Sequence, residues 1–86
     1  MNSNDLSWLA AKQKRLKTWR EFAEHEVQDK AIKLQTLSIL DKYADCLVQI
    51  WKDKSLSEVS QKQISDFERQ LEQLNEEARM RVVGTI

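Results

Sequence analysis

The amino-acid sequence contains no proline and a single glycine, Gly84, which lies close to its end. Proline removes a helical N–H donor and glycine weakens a helix, so residues 1–83 contain neither of the strong helix breakers. Charged residues make up 33% of the chain and apolar residues 41%, a mixture typical of helices with one buried and one solvated face. The sequence therefore predicts an all-α fold.

Other absences limit the class of protein. A single cysteine, Cys46, excludes an internal disulfide. The first twenty residues lack the apolar run of a signal peptide, and no stretch approaches the roughly 20 apolar residues of a membrane span. Basic and acidic residues number 14 each, so the overall charge favours neither nucleic acid nor anionic lipid. We expect a cytoplasmic protein that does not associate with membranes.

The chain length allows one domain. With 86 residues, residues 1–86 are expected to form a single all-helical domain that buries only about 60–65% of its unfolded surface. Contacts with a second copy would add buried surface, so we expect a homo-oligomer, most simply a dimer.

Apolar or small residues recur at steps of three or four from Leu16 to Trp51, close to the coiled-coil period of about 3.5. The segment Glu24–Lys33 contains no Gly, Pro, Asn or Ser, so it lacks these turn formers. We predict one long helix over about residues 5–53, opened by Ser3 or Asn4 and roughly 70 Å long. The alternative is a break near residues 27–30. This first stripe comprises Leu16, Trp19, Ala23, Val27, Ala31, Leu34, Leu37, Leu40, Ala44, Leu47 and Trp51.

The connection after Asp53 has clearer helix-start signals. Ser55 and Glu58 have the spacing of a capping box, and Ser57 is an alternative cap. The next apolar residues, from Ile64 to Ala78, again alternate steps of three and four. The pattern predicts a second helix over about residues 56–82.

A second apolar stripe, which contains Ile32 and Cys46, lies beside the first between residues 31 and 51. A helix apolar over so wide an arc must be covered on more than one side. In the long-helix arrangement, an antiparallel helical hairpin dimerises into a four-helix bundle. In the alternative, a closed three-helix bundle, the N-terminal segment covers the second stripe. The predicted oligomer core comprises Ile39, Tyr43, Leu47, Ile50, Trp51, Ile64, Phe67, Leu71 and Leu74.

The N-terminal region concentrates basic residues and tryptophan. Lysines and arginines recur from Lys12 to Arg20, while Asp5 is the only acid before Glu21. Arginine and exposed aromatic residues are enriched at binding surfaces. The predicted partner-binding residues are Trp8, Leu9, Lys12, Arg15, Lys17, Trp19 and Arg20.

Catalytic and metal-binding patterns are weak. Glu21, His25 and Asp29 share one helix face, but structural zinc sites normally have four ligands with more sulfur or imidazole. Cys46 has no neighbouring base. We expect no enzyme activity, cofactor or metal, and predict a protein–protein interaction module that acts as an adaptor, accessory or regulatory subunit. The alternative is a nucleic-acid-binding accessory protein that uses the basic N-terminal helix, whose affinity would fall steeply with salt.

Overall fold

The computed structural model describes the backbone of residues 1–84 and the side chains of residues 1–80. Within that range the chain forms three α-helices and no strand: α1 (Ser3–His25), α2 (Lys30–Asp53) and α3 (Glu58–Gly84). Leu9, near the start of α1, and Ile64, near the start of α3, both pack beside the end of α2. Consecutive helices are therefore antiparallel. The prediction of an all-helical chain is confirmed, and the bundle extends 50 × 21 × 18 Å.

The predicted long helix over residues 5–53 is wrong, because α1 ends at His25 and α2 begins at Lys30. Asp29 is the N-cap of α2, and its Oδ1 accepts a hydrogen bond from the Ile32 N–H at 3.0 Å. Aspartate is among the best N-cap residues, so the break has a sequence signal in a segment without glycine or proline. The antiparallel hairpin with its four-helix core is therefore replaced by the three-helix arrangement.

The start of α1 differs slightly from the prediction. Asn2 is the N-cap, rather than Ser3 or Asn4, and its Oδ1 accepts a hydrogen bond from the Asp5 N–H at 2.8 Å. An N-cap side chain satisfies one of the helix's first free N–H groups. Asp5 then lies in the first turn, where a carboxylate stabilises the helix dipole.

The start of α3 lies two residues later than predicted. Ser57 Oγ accepts a hydrogen bond from the Ser60 N–H at 3.1 Å, so Ser57 caps this helix and the capping box that starts at Ser55 is wrong. The helix continues through Gly84, beyond the expected end near residue 82. The two connections are short, which is typical of antiparallel neighbours in a bundle.

The hydrophobic core follows α2, because α1 and α3 both pack against it. Because α2 is packed on two sides, the second apolar stripe is covered within the chain. The buried polar residue Thr36 donates its hydroxyl hydrogen to the Ile32 carbonyl at 2.8 Å. From one end to the other, the buried clusters are Leu9, Tyr43, Leu47, Ile50 and Ile64; then Ala23, Leu40 and Leu71; then Val27, Ile32 and Leu74.

The residues predicted to form a core between subunits lie mainly inside the single chain. Trp51 is the exception, with 58% of its surface exposed. Leu34 of the first stripe is also exposed. With α1 and α3 covering two sides of α2, its third side faces solvent. The buried members are Tyr43, Leu47, Ile50, Ile64, Leu71 and Leu74, and the partly buried ones are Ile39 and Phe67.

Lys54 follows α2 in the left-handed conformation, with φ 51° and ψ 36°. A residue with a Cβ atom loses roughly 1–2 kcal/mol there, whereas glycine adopts this conformation freely. We expect Lys54→Gly to raise the free energy of unfolding by about 1 kcal/mol, measured by urea denaturation. Lys54→Ala is the control because it removes the same charge and keeps Cβ. An equal gain in stability in both variants would show that loss of the lysine charge, and not loss of Cβ, causes the effect.

Candidate interaction surface

Two basic residues of α1 pair with carboxylates of α3. Lys12 Nζ lies 3.0 Å from Glu68 Oε1, and Arg15 Nε lies 3.0 Å from Glu68 Oε2. A longer pair joins Arg15 Nη2 and Glu72 Oε1 at 3.7 Å. Among the described residues, no Cα atom of α1 comes within 8 Å of a Cα atom of α3. These long side chains therefore bridge the space between the two helices.

The remaining basic residues of the N-terminal region differ in their contacts. Arg20 Nη2 lies 3.2 Å from Asp41 Oδ1 on α2. Lys14 and Lys17 are exposed, and neither forms an ion pair within the described chain. Much of the positive charge that the sequence concentrates in α1 is therefore balanced by acidic residues of α2 and α3.

The apolar members of the predicted partner surface are not equally accessible. Leu9 is buried, with 3% of its surface exposed. Trp8 is half-buried, and Lys12 Nζ lies 5.5 Å from the centre of its ring. Trp19 is also half-buried and forms an edge-to-face pair with Phe22, with ring centres 5.8 Å apart. Leu9 therefore serves the core, while Trp8 and Trp19 retain some surface for contact.

Helix periodicity places three exposed apolar residues on the side where α1 meets α2. The Arg20–Asp41 pair marks this side. Residues seven apart share a helix face, so Val48, seven after Asp41, lies there too. Leu6 lies fourteen before Arg20 on the antiparallel helix, and Trp51 follows Val48 by one turn. We call Leu6, Val48 and Trp51 the α1–α2 face; their exposed fractions are 43%, 50% and 58%.

Sequence reasoning did not single out Leu6 and Val48, which the structure shows to be exposed. Both are apolar, yet neither belongs to the apolar stripes that predict the core. An apolar residue outside the core stripe of an amphipathic helix is the available signal for an exposed contact. This signal identifies particular residues only after the structure shows which side of α2 packs against α1.

Concave regions lie between helices of the described chain, on either side of α3. The α1–α3 cleft has a volume of about 400 Å³ and the α2–α3 groove about 510 Å³. The cleft combines aromatic and cationic side chains, whereas the groove is lined mainly by aliphatic and amide side chains. The cleft is lined by Arg15, Thr18, Trp19, Phe22, Asn75 and Arg79. The groove is lined by Leu34, Gln35, Ser38, Ile39, Gln70, Gln73, Leu74 and Glu77.

Two groups with acidic protons lie in or near the core. The Tyr43 hydroxyl is buried with no hydrogen-bond partner among the described side chains. Burial, with a smaller contribution from the Glu68 carboxylate, raises the Tyr43 pKa well above its ordinary value. Cys46 Sγ lies 3.6 Å from Gln63 Oε1, and burial raises the thiol pKa. A raised pKa disfavours the thiolate that a nucleophile requires.

The possible metal ligands remain separate. Within the described residues, no three His, Cys, Asp or Glu side chains are grouped to hold a metal ion. His25 ends α1 beside the Val27 end of the bundle, while Cys46 packs against the Leu9 end. The sequence spacing of Glu21, His25 and Asp29 therefore produces no such cluster.

The comparisons with protein families, curated proteins and solved structures gave no match for this chain. In the described part of the chain, every helix falls short of the combined length and hydropathy needed to cross a bilayer. The side-chain geometry is therefore the basis for a functional proposal.

Replacing Tyr43 with phenylalanine tests the unpartnered hydroxyl. We expect the free energy of unfolding at neutral pH to rise or to change by less than about 0.5 kcal/mol. The raised pKa means that the unfolded chain releases the Tyr43 proton first. Wild-type stability should therefore fall relative to Tyr43→Phe above about pH 10, measured by urea unfolding across pH. Parallel pH curves for the two chains would contradict this expectation.

Glu68 tests the bridge between α1 and α3. Its side chain is 13% exposed and contacts both Lys12 and Arg15, so we expect Glu68→Gln to lower the free energy of unfolding by about 1–2 kcal/mol. Asp41→Asn is the control, because the Arg20–Asp41 pair is much more exposed and should change stability by less than about 0.5 kcal/mol. Equal losses in thermal or urea unfolding would argue against a special role for Glu68.

Proposed function

We propose that the protein is a small α-helical protein–protein interaction module, an adaptor, accessory or regulatory subunit, that binds its partner through the α1–α2 face. The observation that carries this proposal is the exposure of both Trp51 and Val48, which are one turn apart on α2. Tryptophan provides a large contact area with few rotatable bonds and is enriched among the residues that dominate binding energy.

The α1–α2 face has the composition of a protein contact. Covering the exposed part of Trp51 removes on the order of 100 Å² of apolar surface, which contributes about 2–3 kcal/mol. Arg20 and Asp41 lie at the border of the face, and Lys17 lies one turn from Arg20. An apolar centre with a charged border is the usual arrangement of such surfaces.

Two members of the predicted partner surface, Lys17 and Arg20, therefore remain in this proposal. Their charges would orient an acidic partner and increase its association rate, while Trp51 and Val48 would supply affinity. Helix-on-helix packing is the proposed mechanism. A second copy of the chain also fits this face, since a two-fold axis would place the same face of each copy against the other.

The nucleic-acid alternative has less support from the arrangement of charges. Lys12, Arg15 and Arg20 each contact a carboxylate of the same chain. A phosphate backbone would have to compete with those carboxylates, and close negative charges repel it. These three pairs leave Lys14 and Lys17 as the basic residues of this region without an ion pair in the described chain, which gives little support for a continuous phosphate-binding surface.

Substitutions on the α1–α2 face test the proposed function. We expect Trp51→Gln and Val48→Gln to reduce partner binding by at least about tenfold, because each removes apolar contact area. Proteins retained by the immobilised chain are quantified by mass spectrometry, and light scattering measures self-association. Val59→Gln is the matched control, since Val59 is 69% exposed and lies on α3.

Circular dichroism checks that each variant keeps its helices. Retention of the same partners by wild type, Trp51→Gln and Val48→Gln would reject the α1–α2 face. An equal loss in Val59→Gln would show that any exposed valine has the same effect, and the proposal would then lose its basis in a specific surface.

A further inference from the structure

The α1–α3 cleft has one aromatic wall. Trp19 and Phe22, one turn apart on α1, form the edge-to-face pair, and both line the cleft. An aromatic wall stabilises an apolar side chain by burial and dispersion. A volume of about 400 Å³ lies within the range of ligand pockets and is large enough for a few amino-acid residues.

The charges along the cleft are unevenly matched. Lys12 and Arg15 pair with Glu68 and Glu72, whereas Arg79 lines the cleft and forms no ion pair within the described chain. Beyond the paired region, the cleft therefore presents a cation that an incoming anion can neutralise. A guanidinium binds a carboxylate through two parallel hydrogen bonds.

Asn75 adds a polar group to the same cleft. Its Oδ1 is buried and accepts no hydrogen bond within the described chain, although a buried oxygen normally has a donor. That oxygen lies below the surface, so the part of Asn75 that a ligand can contact is its NH2 group, which can donate to a peptide carbonyl. The cleft therefore combines contacts for an apolar side chain, an anion and a backbone carbonyl.

We infer that the α1–α3 cleft binds a short acidic peptide segment of a partner protein. An apolar side chain of the segment packs against Trp19 and Phe22, a carboxylate binds Arg79, and a backbone carbonyl accepts a hydrogen bond from the Asn75 NH2 group. This inference rests on the proposed function and adds a second contact surface to it.

A carboxylate fits the cleft better than a phosphate group does. Glu72 lies at the edge of the cleft through its pair with Arg15, and its repulsion grows with the charge of the ligand. A nucleic acid carries one negative charge at every nucleotide, whereas among the described residues that line the cleft Arg79 is the one cation without an ion pair. These two observations favour an acidic peptide over a nucleic acid at this surface.

The test is a nuclear magnetic resonance titration of the full chain with the peptide acetyl-Phe-Glu-Leu-Asp-amide. Its neutral analogue, acetyl-Phe-Gln-Leu-Asn-amide, has nearly the same shape. We expect the acidic peptide to shift the Trp19 indole signal with a Kd of about 1 mM, a value typical of a short segment, and the neutral peptide to bind about tenfold more weakly. The Trp51 indole signal, on the other face, should not move.

Arg79→Gln should weaken the acidic peptide about tenfold. Arg69→Gln is the matched control, because Arg69 is an exposed arginine of the same helix outside the cleft, and it should leave binding unchanged. Equal binding of the two peptides, equal losses in the two variants, or no Trp19 shift would overturn the inference. So would a Trp19 shift caused by a single-stranded oligonucleotide in place of the peptide.

The two proposals fail separately. If Trp51→Gln abolishes partner capture while Arg79→Gln leaves peptide binding unchanged, the cleft is rejected and the α1–α2 face stands. If the peptide binds as expected while capture is insensitive to Trp51 and Val48, the α1–α2 face is rejected and the cleft remains a peptide site.

Discussion

The hydrogen bond between the Ile32 N–H and Asp29 Oδ1 marks the constraint on which the rest of the structure depends. This bond caps the start of α2 as a separate helix, and the chain reverses direction between α1 and α2. Since α2 is apolar over a wide arc, α1 and α3 must both pack against it. Tyr43 and Ile50 are then buried within one chain, and a second subunit is not needed to cover them.

Helical periodicity predicts which residues are apolar neighbours better than it predicts where a helix ends. Local spacing mainly determines which positions are buried. The periodic apolar residues that are buried include Leu40, Leu47, Ile64 and Leu71. The stripe also keeps its spacing across the loop at Asp29, so periodicity alone gives no sign of the break. The Asp29 side-chain hydrogen bond marks the break, and N-cap preference is the sequence signal that identifies it.

Surface residues are harder to predict, because their environment depends on contacts between helices. Lys12, Arg15 and Arg20 form a basic cluster in the sequence, yet each pairs with an acid at least twenty residues away. Trp51 belongs to the same stripe as Leu47 but is exposed at the last turn of α2. Periodicity cannot show which of these side chains are exposed, because exposure depends on which side of α2 packs against α1.

Helix α1 borders both proposed contact surfaces and contributes fewer buried residues to the core than α2 does. Leu9 and Ala23 are its fully buried residues, with Leu16, Trp19 and Phe22 partly buried. Glu68 contacts two cations of a helix that has few buried side chains, so we expect it to stabilise the packing of α1 more than a surface ion pair normally does. A ligand that binds only when α1 is packed against the bundle must stabilise that packed state by mass action. Binding at either surface and the packing of α1 are therefore thermodynamically linked.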